Sequence, residues 1–384
     1  TILINSKFIR LFTMQKHRKH AKLTKRSYGN YASNEIAFLG TTCSVINNLV
    51  NEISDKLAVS YQLAYLDASH NKETKVPKLN NFTFHHSGSL TTNMASEMNR
   101  YNDKTLLSAY DLVFINGNHY PGEQQILILD SEKEASVLKR IHQLNNIQFI
   151  ISLNDDSHIF EFLMDQYPNI QNLKTYHISD IEHITSHIDN LIRQKIAPVQ
   201  GLVLAGGKSL RMGTDKGLLD FHGKSQRNYA IELLENLNIK TFLSVRKEQN
   251  IKDLSTIEDV FLGLGPFGAI CSAFQQNPNT AWLIIATDLP FVDEKIIQQL
   301  LKNRNPSKIA TAVQGTSKQF PEPLITIWEP KAYPILLNYL AQGISCPRKV
   351  LINNMVEIVK IDDDFIRNIN TPDEFQAARK ELNE

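Results

Sequence analysis

The chain has 384 residues, too many for one typical domain and suited to two of moderate size. Its 41 basic and 40 acidic residues leave a formal net charge of +1, so no global electrostatic reason exists to expect a nucleic-acid partner. Hydrophobic residues make up 42%, enough for ordinary cores, and no apolar run approaches the length of a membrane-spanning helix, so no membrane partner is expected.

In chain order, residues 1–13 are mildly apolar, lack a convincing cleavage site and read as an upstream extension before Met14. The basic run from Lys16 to His20, with Lys22, Lys25 and Arg26, reads as a solvated arm, so 1–33 is expected to be flexible. An α/β pattern sets in at Glu35. Strands are expected at 36–39, 61–66, 111–115, 125–130 and 148–153, and helices at 44–57, 132–144, 159–166 and 181–193. The polar, lysine-rich stretch 71–81 reads as a loop. Pro198 disfavours continuation of the preceding helix and puts a boundary near 196, giving domains over 34–196 and 197–384. The pattern then restarts with a strand at 200–205, a helix at 226–237, strands at 240–245 and 282–286, a helix at 293–302, a strand at 308–313 and a last helix from Pro372. Such alternation predicts an α/β fold with a mostly parallel, helix-covered sheet in each half.

Three scattered cysteines, Cys43, Cys271 and Cys346, argue against a disulfide framework and against a thiolate zinc site. His70, His85, His86 and His119 invite a metal reading. His85 and His86, adjacent on a strand, would face opposite ways, and no cysteine or carboxylate stands at standard ligand spacing, so these are expected to be surface or core histidines. The cytoplasm is the default compartment.

The chemistry concentrates in residues 202–219. A short apolar run ending at Leu204 and Ala205 reads as a buried parallel strand that stops at Gly206 and Gly207. The glycines permit a tight turn and close approach of backbone to a ligand. Lys208, Ser209, Arg211, Gly213 and Lys216 follow, so exposed N–H groups and three cations share one short loop suited to a polyphosphate. The spacing excludes both the Walker loop and the dinucleotide fingerprint. A second apolar strand at 281–286 runs directly into Thr287-Asp288-Leu289-Pro290. A carboxylate there stands at the edge where α/β folds bind ligands, and Mg²⁺ takes one or two carboxylates together with substrate phosphates. Asp288 is therefore the metal candidate, its alternative being a cap on the following helix.

The run Leu-Ala-Gly-Gly, three residues, Arg-Met-Gly, one residue, Asp-Lys over 204–216 closely resembles the signature of molybdenum cofactor guanylyltransferases, and the resemblance extends more loosely over about 198–384. It implies a Rossmann-like nucleotidyltransferase domain that moves GMP from Mg·GTP to the terminal phosphate of molybdopterin and releases pyrophosphate. Arg211, Lys216 and Asp288 would be catalytic. Leu204, Ala205, Gly206, Gly207, Lys208, Ser209, Gly213, Lys216, Arg246, Gly265 and Asp288 would bind the nucleotide, and Mg²⁺ would sit on Asp288 and Asn370. Arg367-Asn-Ile-Asn-Thr-Pro resembles the family's Asn-x-Asn-Thr-Pro element, although Thr371 or Asn370 as a cap, with Pro372 opening a helix, accounts for it locally. The segment 263–270 resembles a stretch that lies over the nucleotide, with Phe267 and the order Gly268-Ala269 departing from the pattern. Pro321-Glu-Pro-Leu324 and Ser345-Cys-Pro-Arg348-Lys349 resemble acceptor-side elements. Guanine specificity rests on the resemblance alone, since cytidylyl-transferring relatives show Leu-Ala-Ala-Gly.

The first half loosely resembles the P-loop accessory protein of molybdopterin guanine dinucleotide synthesis, through Ala37-Phe-Leu-Gly40 and Asp111 to Gly117. Gly-Thr-Thr-Cys-Ser at 40–44 lacks the Gly-Lys-Ser/Thr that holds a β-phosphate, and Asn116 stands where an acidic residue is expected. The domain is thus expected to be a degenerate, nucleotide-incompetent scaffold or docking module for cofactor-maturation proteins. Alternatives for the whole chain are a molybdopterin cytidylyltransferase, a sugar-phosphate nucleotidyltransferase, or a non-catalytic adaptor.

Overall fold

The computed structural model describes residues 22–69, 79–93, 99–155, 157–205, 216–249, 251 and 253–383. Gly206, Gly207, Lys208, Ser209, Arg211, Gly213, His70 and the first part of the basic arm lie outside the described residues.

The first half runs β1 (Glu35–Leu39), α1 (Cys43–Leu57), β2 (Leu63–Leu66), β3 (Asn81–Phe84), β4 (Leu90–Asn93), α2 (Arg100–Leu107), β5 (Leu112–Asn116), β6 (Gln124–Leu129), α3 (Glu134–Lys139), β7 (Ile147–Ser152), α4 (Glu161–Gln166), β8 (Thr175–His177) and α5 (Ile181–Gln194). Among the described residues, six strands form a parallel sheet in the order β2-β5-β1-β6-β7-β8. Every residue of β1, β5 and β6 is buried, as strands covered on both faces must be. One cover is α1, whose Ile46, Leu49, Val50, Ile53 and Leu57 recur at helical spacing and pack with Ile184, Ile188 and Leu191 of α5.

The second half runs β9 (Val199–Leu204), α6 (Gln226–Glu235), β10 (Thr241–Val245), β11 (Thr256–Glu258), α7 (Pro266–Gln276), β12 (Ala281–Ala286), α8 (Glu294–Lys302), β13 (Ala310–Gly315), β14 (Glu322–Trp328), α9 (Ala332–Ala341), α10 (Pro347–Ile352), β15 (Val356–Ile361) and α11 (Pro372–Asn383). Its sheet has the order β11-β10-β9-β12-β14-β13-β15. Within this sheet only β14 runs antiparallel to its neighbours among the described residues, so the sheet is mostly parallel. No helix among the described residues is long and apolar enough to cross a membrane.

Several expectations need correction. The helix expected over 132–144 is broken into Ser131–Lys133, α3 and Ile141–Gln143, the outer two being 3-10 turns. Asp130 caps the first turn through its side chain, and Arg140 leaves helical torsion at the second break. His85 and His86 sit in the turn between β3 and β4, where the backbone N–H of His85 donates to Ser89 O, so they do not alternate along a strand. The described end of the expected arm is tied down. Ser27 N donates to Asn279 Oδ1 at 2.6 Å, and Asn279 Nδ2 donates to Lys25 O at 3.1 Å. The fully buried Glu35 carboxylate gathers backbone N–H groups from Asn30, Tyr31, Ala32 and Glu123, which fixes the chain before β1.

Candidate active site

The chain leaves β9 for β10 and β11 on one side, then returns to β12 on the other side of β9. That reversal creates the crevice at which open α/β sheets bind ligands. Ala286 lies opposite Leu204, so the carboxyl end of β9 at Ala205 and the turn at Thr287 and Asp288 lie side by side. Thr287 ties them together, donating to Leu204 O from its backbone N–H at 3.4 Å and from its hydroxyl at 3.2 Å.

Lys216 re-enters this crevice on a short 3-10 turn, Lys216–Leu218. Its ammonium donates to Ile369 O and to Asn370 Oδ1, both at 2.8 Å, and lies 3.9 Å from Asp288 Oδ2. The backbone closes the same knot, since Ile369 N donates to Asp288 O at 2.9 Å. The Lys216 and Asp288 side chains are 21% and 22% exposed, dry enough to interact strongly and open enough to meet a ligand. Burial pushes the Asp288 carboxyl above the ordinary aspartate value, and the Lys216 ammonium pulls it back down. Asp288 Oδ1 is buried with no hydrogen-bond partner among the described residues.

Asn370, expected as a metal ligand, turns its side-chain oxygen to Lys216 in this structure. Its position is set by the start of α11. Glu374 Oε2 reaches back to accept from Asn370 N at 2.7 Å and Thr371 N at 3.0 Å, while Thr371 Oγ1 accepts from Glu374 N at 3.3 Å. This reciprocal capping box, followed by Pro372, is the local helix start that the sequence offered as an alternative, and it coexists with a role at the site. Asn368 is exposed.

Arg246 and Gly265 stand on the same carboxyl edge, on the β10–β11 side of the crevice, whereas Lys216, Asp288 and Asn370 occupy the β12 side. Arg246 follows β10, its backbone N–H bonded to Gln249 Oε1 and its Nε buried without a partner among the described residues. Gly265 precedes α7 with φ +57°, a torsion that favours glycine. At Gly268 a Cβ would stand 2.3 Å from Phe261 O, which explains why glycine occupies that position in this chain.

The two stretches expected on the acceptor side meet through Arg348 Nη2 and Glu322 Oε2 at 3.2 Å. Burial pushes the Glu322 carboxyl up, the Leu324 N–H and Arg348 oppose it, and the Asp288 charge adds to the rise. Beside them opens a cavity of about 590 Å³, lined by Phe320, Glu322, Arg348, Arg367 and Asn368 among others. Sequence reasoning missed the Ile369 carbonyl as a holder of Lys216, and nothing could have found it, because a backbone acceptor leaves no residue signature. The reach of Glu374 was legible in Thr371-Pro-Asp-Glu374.

Residues 201–357 match the family model of the MobA-like NTP transferase domain. This region is a nucleotidyltransferase domain. Over 183 residues the chain is 34% identical to the molybdenum cofactor biosynthesis bifunctional protein of Synechocystis sp., a match covering 46% of this chain and 53% of that protein. The chain thus spans about half the length of that relative. It is 27% identical over 176 residues to the probable molybdenum cofactor guanylyltransferase of Flavobacterium johnsoniae, covering 45% of this chain and 92% of that protein. The solved molybdopterin-guanine dinucleotide biosynthesis protein A of Archaeoglobus fulgidus aligns with 48% of this chain and 98% of its own, at 22% identity and TM-score 0.42.

Proposed function

We propose that the second half, residues 197–384, transfers GMP from Mg·GTP to the terminal phosphate of molybdopterin and releases pyrophosphate. The observation that carries the reading is the convergence of Lys216, Asp288 and Asn370 on the crevice where the glycine-rich segment leaves β9. The relatives named molybdenum cofactor guanylyltransferase support the choice of substrates.

Asp288 fits a hard divalent cation, because its Oδ1 is a buried carboxylate oxygen still lacking a partner among the described residues. Mg²⁺ held there would neutralise charge on the phosphate oxygens. The attacking phosphate is already an anion, so the reaction needs no general base from the protein. What it needs is alignment of anions and stabilisation of charge on the departing pyrophosphate. Lys216 supplies a fixed ammonium for that purpose, and Ile369 and Asn370 aim it. The backbone of 206–213, Lys208, Ser209 and Arg211 would cradle the triphosphate, with Leu204, Ala205, Arg246 and Gly265 on the nucleoside side. Asn370→Ala is expected to lower kcat/KM for nucleotide about tenfold, the worth of one hydrogen bond to a charged group, with Lys216 left mis-aimed. Pyrophosphate release at varied GTP reads this directly.

Residues 34–196 are proposed to form a separate, nucleotide-incompetent P-loop-like scaffold that docks cofactor-maturation proteins. Only residues 40–42 join β1 to α1, which is too little chain to wrap a phosphate. Gly40, at φ +108°, turns against Ile128 O, which a Cβ would approach to 2.2 Å.

The overall reading is tested with a panel of nucleoside triphosphates, Mg²⁺ and molybdopterin, scored for pyrophosphate. Turnover with GTP alone is the expected result. Turnover with CTP, or with a sugar phosphate as acceptor, selects another nucleotidyltransferase, and silence throughout overturns the catalytic reading.

A further inference from the structure

A second polar cluster, which nucleotidyl transfer does not use, occupies the carboxyl edge of the first sheet. Cys43 opens the 15-residue helix α1 directly after its cap Thr42, and its thiol is partly exposed. The sulfur lies 3.2 Å from His119 Nε2 and 3.7 Å from Asn118 Nδ2. The same histidine nitrogen stands 3.8 Å from Asp67 Oδ1, and the other Asp67 oxygen accepts from the Tyr65 hydroxyl at 3.0 Å. Burial holds the Tyr65 phenol above its ordinary value, so it remains a donor to Asp67.

The scaffold fixes these groups. Tyr65 belongs to β2, and Asn116 ends β5. The turn after β5 is set by Asn118 N donating to Asn116 Oδ1 at 3.1 Å and His119 N donating to Asn116 O at 3.0 Å. Asn116 is 0% exposed, and its Nδ2 is a buried donor with no hydrogen-bond partner among the described residues. One imidazole nitrogen therefore faces a thiol and a carboxylate at once. When it takes the thiol proton, Asp67 stabilises the positive charge, while the Asn118 amide and the positive end of α1 stabilise the sulfur anion.

We propose that Cys43 and His119 form a nucleophilic thiol–imidazole pair, a covalent site on the first half of the chain for a small organic disulfide. The cluster offers no three-ligand metal set among the described residues. Of the other cysteines, Cys271 is buried on α7 and Cys346 caps α10, and all three thiols are free, so the disulfide considered is an external one. In the step, the Cys43 proton passes to His119 Nε2 and the sulfur attacks one sulfur of R–S–S–R. A Cys43–S–S–R bond forms as the R–S–S–R bond breaks, and the departing thiolate collects the proton from His119. Cys43 is oxidised and half of the disulfide is reduced to RSH, so protons and electrons balance.

The full chain carries its own controls. Cys346 is the most exposed thiol, and burial pushes the Cys271 thiol up to about 12. With oxidised glutathione at neutral pH and cysteine-by-cysteine mass spectrometry, Cys43 is expected to react roughly tenfold faster than Cys346 despite its lower exposure. His119→Asn is expected to slow Cys43 about tenfold and leave Cys346 unchanged, and Asp67→Asn to slow it about threefold. Continued silence of Cys271 reports that the variants remain folded. A rate order in which Cys346 leads in the unaltered chain would overturn the proposal without recourse to any variant, as would an unchanged Cys43 rate in folded His119→Asn.

Discussion

Lys216→Ala is expected to reduce nucleotidyl transfer by about a hundredfold or more while leaving the fold intact, the effect of removing one preorganised donor from a charged transition state. The ammonium is held by two oxygens at 2.8 Å and stands 3.9 Å from Asp288, so its position is fixed before any ligand arrives. Its loss strips Asp288 of the cation that offsets burial, so the carboxyl shifts further upward and holds a divalent ion less well. Lys216→Arg is expected to restore little, because the longer, planar guanidinium cannot put its charge where the compact ammonium meets Ile369 O, Asn370 Oδ1 and the Asp288 carboxylate together. Pyrophosphate release measures the activity and thermal unfolding the fold. Full turnover in folded Lys216→Ala would remove the residue from the mechanism.

Asp288→Asn is expected to cost transfer as heavily and yet to leave metal-free stability at pH 7 equal to or above that of the unaltered chain. The amide keeps the shape of the side chain without the burial of a charge. The direction of the shift sets the pH dependence. A carboxyl raised in the folded state binds its proton more tightly there than in the unfolded chain. Its contribution to stability is complete below the ordinary value of 3.8 and is lost as pH rises through the raised value. The unaltered protein should therefore lose stability relative to Asp288→Asn across that window, measured as thermal midpoints in chelator-treated buffer. A variant that is active, or one that unfolds at every pH, would contradict the assignment of Asp288 to ligand chemistry.

Much of the second half was legible because its strands are continuous apolar runs ending in chemistry. The run at 281–286 matches β12 to the residue, and the helix from Pro372 matches the start of α11. Periodicity failed where burial, not alternation, sets the pattern. Helix α7 is buried over Phe267 to Phe274 and shows no polar face to read, so no helix was expected after Gly265. The apolar strand expected after Pro321–Leu324 is β14, but β15 and the helices α9 and α10 were unread, since β14 runs antiparallel and breaks the strand–helix rhythm. At the site, the expectation that Lys216 and Asp288 face one cleft drew on the family resemblance as well as on residue type and strand end, and the two side chains lie 3.9 Å apart. The arrival of residues 369–370 at the same point depends on how α11 folds back, which long-range topology decides and local sequence does not.

The central claim is that the nucleotide and its metal ion lie between Lys216 and Asp288. It is tested most directly by a crystal structure of the chain grown with Mg²⁺ and a non-hydrolysable GTP analogue. The account predicts the ion on the Asp288 carboxylate and the triphosphate within hydrogen-bond reach of the Lys216 ammonium. A nucleotide bound elsewhere in the chain, with no phosphate oxygen near the Lys216 ammonium, would contradict it.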